Sequence, residues 1–207
     1  MRSYIVNSVR SPKAKTKAAL LQVMSMLDME VYHHENRNLN RIKEMQPSYL
    51  FTSLLYGPLK SSLGLFMMEV LNKCIREEEE NEKMFDFISQ KLQSLDRIEK
   101  VPADFLLNFL LELSLLLGFA PHGKFSEATN YFDLQEGNFV SDISIHPLVL
   151  SPPVSQNLSS LLKKNSTEIP AAERRKLLEA LLQYYQLHVP NFSFPKSLKV
   201  LDEIFRS

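Results

Sequence analysis

The chain has 207 residues, 44% of them hydrophobic, with 24 basic and 24 acidic side chains; it can bury a substantial core as one large domain or two small ones. Its longest apolar stretch, residues 106–120, is broken by Asn108, Glu112 and Ser114, which argues against a membrane-spanning helix. The N-terminal MRSYIVNSVRSPK lacks the apolar core of a signal peptide, and the single cysteine, Cys74, excludes an internal disulfide, so we expect a soluble cytoplasmic protein.

The zero net charge conceals a segregation along the chain. Residues 1–27 carry Arg2, Arg10, Lys13, Lys15 and Lys17 and no acid, whereas residues 76–82 hold five glutamates and one arginine. A basic arm beside an acidic body points to an anionic partner at one end.

In chain order, three segments read as strands. SYIVNSVR sets Ile5 and Val9 against Tyr4, Val6 and Ser8. After the basic loop SPKAKTK, LLQVMSMLDMEVYHH places Leu21, Val23, Leu27, Met29 and Val31 on one face and Gln22, Asp28 and Glu30 on the other. The length of that run predicts one strand bending around a small barrel. NRIKEMQP is a third, short segment ending at Pro47.

From about Leu54 the period becomes helical. KSSLGLFMMEVLNKCIREE aligns Leu63, Phe66, Met67, Val70, Leu71 and Cys74 on one side. EKMFDFISQKLQSLDRI follows the acidic junction EEEEN, and a helix is predicted over 102–117. Residues 119–147 have no helical period, and YFDLQEGNFVS reads as a hairpin turning at Glu136, Gly137 and Asn138. PVSQNLSSLLKK, AAERRKLLEALLQYYQLH (ending before Pro190) and SLKVLDEIF are the closing helices. The fold class is α+β, mostly α.

LLLGFAPHGKF contains the spacing of a phosphate-binding loop, Gly118 to Gly123 and Lys124. Such a loop needs a strand before it, a helix after it, and Ser or Thr after the Lys for Mg²⁺. Here a helix precedes the loop and Phe125 follows the Lys, so the nucleotide reading fails. His33 and His34 are strand neighbours that point to opposite faces and cannot share an ion. Glutamates 77–80 fan around a helix axis as a solvated junction, and Cys74 lies on a buried stripe. No nucleophile has a base beside it, so no enzyme is expected.

A small strand-rich unit followed by a helical bundle with an inserted hairpin resembles RecO, a family of bacterial DNA recombination mediators, in its Bacteroidetes branch. The resemblance is carried by KSSLGLFMMEVLNKCIREEEENEKMFDFISQKLQSLD, the LGFAP turn, YFDLQEGNFVS and YYQLHVPNFSFPKSLKVLDEIF. It implies a DNA-binding OB-fold in residues 1–50 and a helical domain in 51–207. Its implied partners are single- and double-stranded DNA, RecR and the acidic tail of single-stranded DNA-binding protein, with no membrane. The implied activity is strand annealing and help in loading RecA, without catalysis or cofactor, in a nucleoid-associated cytoplasmic protein. The alternative is a helical adaptor that does not itself touch DNA.

The chain departs from the family in two places. Many members hold a structural zinc on four cysteines between helices, whereas 119–147 has no cysteine and reads as a metal-free remnant held by Tyr131, Phe132 and Phe139. Three strands do not close a five-stranded barrel, so the OB-fold is expected to be incomplete, with ~30 residues of strand and turn missing at its start through an internal start codon or fragmentation.

The expected DNA contacts are Arg2, Arg10, Lys13, Lys15, Lys17, Arg37, Arg41 and Lys43, whose charges would displace counterions from phosphates. Tyr4, with Tyr32, would offer a stacking face. On the helix near the C-terminus, Arg174, Arg175 and Lys176 beside Leu178 and Leu182 would suit an acidic peptide with apolar residues, against the plainer reading of a charged first turn on a core helix.

Overall fold

The structure, a computed structural model, describes residues 3–6, 20–32, 39–75, 80–141, 146–164 and 168–206. It forms two compact units, Met1–Glu99 with Lys196–Ser207, and Lys100–Pro195. This division differs from the 1–50 and 51–207 boundary that the resemblance implies: the strands and first two helices share one unit.

In the first unit, β1 (Ser3–Ile5), β2 (Met26–Tyr32) and β3 (Leu39–Tyr49) form a sheet in the order β1-β3-β2, with β1 parallel and β2 antiparallel to β3. Two expectations are corrected here. The second strand does not run from residue 20: residues 20–24 form a turn in which Ser25 N–H donates to the Gln22 carbonyl at 3.1 Å and Met24 adopts φ 73°. The turn is fixed by packing, because buried Met24 fills the space above Gly64, where a Cβ would overlap its sulfur. Conversely, β3 is longer than expected and runs through Pro47. Among the described residues β1 pairs only with Leu39 to Arg41, so at Pro47 the strand has a described neighbour on one side, the edge position where a missing N–H is tolerated.

Helix α1 (Pro58–Cys74) starts with Pro in its first turn and buries Leu63, Phe66, Met67, Val70 and Leu71, the expected stripe, with Cys74 half-buried. Helix α2 (Glu82–Arg97) is capped by Asn81, whose side chain accepts the Met84 N–H at 2.9 Å. Helix α6 (Leu198–Arg206) packs on α1. Its entry is clasped by Glu69, which accepts N–H groups of Lys196 (2.8 Å) and Ser197 (2.9 Å) and the Ser197 hydroxyl (2.7 Å). Burial pushes the Glu69 carboxyl up, but these donors outweigh it and hold it below its ordinary value.

The second unit contains α3 (Phe105–Leu116), β4 (Tyr131–Asp133), β5 (Asn138–Val140), β6 (Val149–Leu150), α4 (Val154–Leu162) and α5 (Ala171–His188). α3 begins three residues later than predicted. It ends in a Schellman turn: Phe119 N–H reaches the Ser114 carbonyl, Gly118 N–H reaches Leu115, and Gly118 takes φ 85°. The second glycine of the apparent phosphate loop, Gly123, abuts Asn138, whose Oδ1 occupies the place a Cβ would take. His122 N–H donates to the Gly137 carbonyl at 2.8 Å, so the loop binds the hairpin and opens no helix. The β4–β5 hairpin forms at the predicted place and is joined by β6, a strand that the periodicity does not reveal. Phe132 and Phe139 are buried with ring centres 5.0 Å apart, and Tyr131 is half-buried. Tyr184 and Tyr185 donate their hydroxyls, each at 2.6 Å, to the carbonyls of Phe119 and Leu110.

Candidate nucleic-acid interface

The register of the first sheet sorts the candidate residues onto two faces. Met29 pairs with Met45 and Val31 with Ile42, while Glu30 pairs with Glu44 and Tyr32 with Arg41. β3 carries an extra residue opposite β2 at each of two bulges. These bulges keep the strands in phase: Leu27, Met29, Val31, Asn40, Ile42 and Met45 share one face, and Asn40 and Ile42 on it are buried. The opposite face carries Asp28, Glu30, Tyr32, Arg41, Glu44 and Gln46, all exposed. The alternation of Leu27, Met29 and Val31 against Asp28 and Glu30 is therefore present as read.

Tyr4 does not share a face with Arg41. It pairs with Asn40 on the inner face, 38% exposed, whereas Ile5 pairs with Arg41 on the outer face. The aromatic group beside Arg41 is Tyr32, half of whose surface is open. Arg41 is exposed and has no ion-pair partner among the described residues. Lys43 donates to Glu30 at 2.6 Å; this bond raises its ammonium above the ordinary value and partly cancels its field. Arg2, Arg10, Lys13, Lys15, Lys17, Arg37, His33, His34 and residues 77–79 of the glutamate run lie outside the described residues.

One functional support was not read from the sequence. Asp96 lies in the last turn of α2, at the negative end of the helix dipole, and is buried. Its carboxylate accepts backbone N–H groups of Thr52, Ser53 and Leu54 at 2.7–3.1 Å, the Thr52 hydroxyl at 3.1 Å and the Tyr49 hydroxyl at 3.2 Å. Burial pushes this carboxyl up, yet the three backbone donors outweigh it and hold it far below the carboxylate range. Lys60 covers the carbonyl of the same residue at 2.8 Å. The anchor fixes the turn that leaves β3 and positions Tyr49, on whose ring Arg97 rests with Cζ 5.5 Å from the centroid. An Asp in a final helical turn, against the dipole preference, is the signal available in the sequence.

On α5 the expected peptide groove is not formed. Leu182 is fully buried and Leu178 half-buried, so the leucines belong to the core. Arg174 donates to the Ile169 carbonyl, Arg175 to Glu179 at 3.2 Å and Lys176 to Glu173 at 3.1 Å. A tetrahedral zinc site is not matched either: residues 119–141 lack cysteine, and among the described residues no three His, Cys, Asp or Glu side chains are arranged to hold a metal. His146 Nε2 instead lies 3.2 Å from Asp133, which caps the hairpin by accepting the N–H groups of Gln135 and Glu136.

The family model described as Recombination protein O C terminal matches residues 56–198, from the turn before α1 to the start of α6. The chain belongs to the RecO family. The DNA repair protein RecO of Phocaeicola vulgatus is 34% identical over 208 residues, covering 98% of this chain and 86% of that protein. RecO of Bacteroides fragilis is 35% identical over 209 residues, with coverage of 98% and 86%, and RecO of Flavobacterium psychrophilum 33% over 215, with 99% and 87%. These relatives extend the RecO match across the N-terminal strands, beyond the part the family model covers. The order of a small N-terminal sheet followed by helices is the α+β architecture expected of a RecO chain. Among the described residues no helix is long and apolar enough to cross a membrane.

Proposed function

We propose that this RecO-family chain acts in DNA repair as a recombination mediator. In this reading the N-terminal strands are part of an OB-fold that binds single- and double-stranded DNA. The chain anneals complementary strands and helps load RecA onto DNA covered by single-stranded DNA-binding protein, with RecR and the acidic tail of that protein as partners, in the nucleoid-associated cytoplasm. It works by binding rather than by catalysis. The observation that carries the proposal is likeness over 98% of the chain to proteins named for DNA repair. The exposed pair of Tyr32 and Arg41 supplies what a strand of DNA needs at one point, a ring to stack on and a cation for phosphate.

A second reading, an adaptor without direct DNA contact, is favoured by Asp28, Glu30 and Glu44, which outnumber Arg41 on that outer face even with Lys43 bonded to Glu30. Salt dependence separates the two. A DNA binder loses log affinity in proportion to log salt, and replacing Lys13, Lys15 and Lys17 with Gln lowers that slope by up to about three, one for each phosphate no longer neutralised. An adaptor shows no measurable affinity for a 30-nucleotide strand at ~50 mM salt, the low-salt condition in which phosphate contacts are strongest.

A further inference from the structure

Arg97 is an exposed arginine that the structure holds still without giving it a counter-charge. Its Nε donates to the Tyr49 hydroxyl at 3.3 Å, one Nη2 hydrogen goes to Gln93 Oε1 at 3.1 Å, and the guanidinium lies over the Tyr49 ring. Tyr49 is itself tied to buried Asp96, which three backbone N–H groups hold in turn. No carboxylate pairs with Arg97 among the described residues, and of its five N–H donors three remain uncommitted. The guanidinium borders a depression on the exposed side of α2, lined by Gln90, Gln93, Ser94 and Ile98. Two amides and a hydroxyl add neutral donors, and the lining contains no acid.

A planar fork held in advance by an aromatic ring, beside neutral donors and facing water, is suited to an oxyanion. We propose that Arg97, with Gln90 and Gln93, is a phosphate site for the DNA backbone; the inference rests on the DNA-binding reading above. Tyr49, on which Arg97 rests, closes β3 and Arg41 lies eight residues earlier, so at ~3.3 Å per residue the strand between them spans at most roughly 26 Å. That span falls within the ~4–16 nucleotides that one OB-fold covers. Asp28 and Glu44 lie on the face between them. Arg41 on the sheet and Arg97 on α2 are therefore two separate footholds, not a continuous basic groove.

The test is fluorescence anisotropy of a labelled 30-nucleotide poly-dT strand across a salt series, with the full chain, R97Q, R97K and R41Q. R97Q is expected to lower the salt slope by about one and weaken binding about threefold or more at low salt, with its melting temperature checked alongside. R97K retains the slope, because the charge stays, while losing part of the affinity with the fork. R97Q combined with R41Q lowers the slope by about two. If the parent chain binds DNA but R97Q leaves slope and affinity unchanged, the site is refuted and the functional reading stands. Loss of binding to an acidic peptide in R97Q, with DNA binding intact, refutes it in favour of a protein carboxylate. A parent chain that binds no DNA at any salt refutes the functional reading and the site together.

Discussion

Removing the Asp96 carboxylate strips a single acceptor from three backbone N–H groups and two hydroxyls. Leu54, whose N–H is held at 2.7 Å, is fully buried, so in D96A that donor cannot turn to water. Hydrogen bonds to a charged group contribute about 1.5–3 kcal/mol each but share one carboxylate, so D96A, which leaves buried neutral donors without an acceptor, is expected to cost about 3–5 kcal/mol. D96N keeps one acceptor oxygen and is expected to cost about half as much. With m near ~2 kcal/mol/M, the urea midpoint of D96A falls by about 2 M. Because the folded carboxyl lies below its unfolded value of about 3.9, its stabilisation is complete above that pH and declines as pH falls toward the folded value; D96N lacks this acid-side decline. The assay is urea unfolding across pH, with hydrogen exchange read at the amides of Thr52 to Leu54. A D96A midpoint within about 0.3 M of the parent, far inside the loss worked above, with the Leu54 amide still protected, would refute the anchor.

In G64A the new Cβ meets the Met24 sulfur, so the ~1 kcal/mol that Ala contributes to helix stability should be overturned; in an M24A background the same change should stabilise, and a double-mutant cycle reads the reversal. Burial pushes the Tyr184 hydroxyl up to about 12, above its unfolded value near 10. Its stabilisation is thus complete below pH ~10 and lost as pH rises toward 12, an alkaline decline that Y184F should abolish in thermal melts. Chelator should leave the thermal transition unmoved and elemental analysis should find less than one zinc per chain, since no cysteine ligands occur in residues 119–141.

The helices were legible because their stripes are long and amphipathic; Leu63, Phe66, Met67, Val70 and Leu71 fall on one buried face through spacing alone. Gly118 was legible as a helix exit because its position after an apolar run has a local cause. What sequence spacing could not supply was set by distant partners. The alternation through Leu21 and Val23 continues that of the strand, yet Met24 leaves it to meet Gly64, forty residues away in the chain. Tyr4 and Ile5 exchanged faces because pairing with β3, not their own alternation, decides which side they take. Of the site, Arg41 and Tyr32 could be named from composition and pattern. Asp96 gave only its place against the helix dipole and Arg97 no signal, since their roles depend on the end of β3, more than forty residues upstream.

The first unit is made of two pieces of chain, with Lys100–Pro195 inserted between them. During synthesis, Glu69 emerges long before the amides of Lys196 and Ser197 that it clasps. At ~5–20 residues per second, roughly 5 to 20 seconds separate the end of α2 from the arrival of α6. Through that interval the α1 surface that receives α6 waits uncovered while the second unit is still being made. A unit that begins the chain is therefore the one completed last, and its nascent form is the stage at which a chaperone has most to hold.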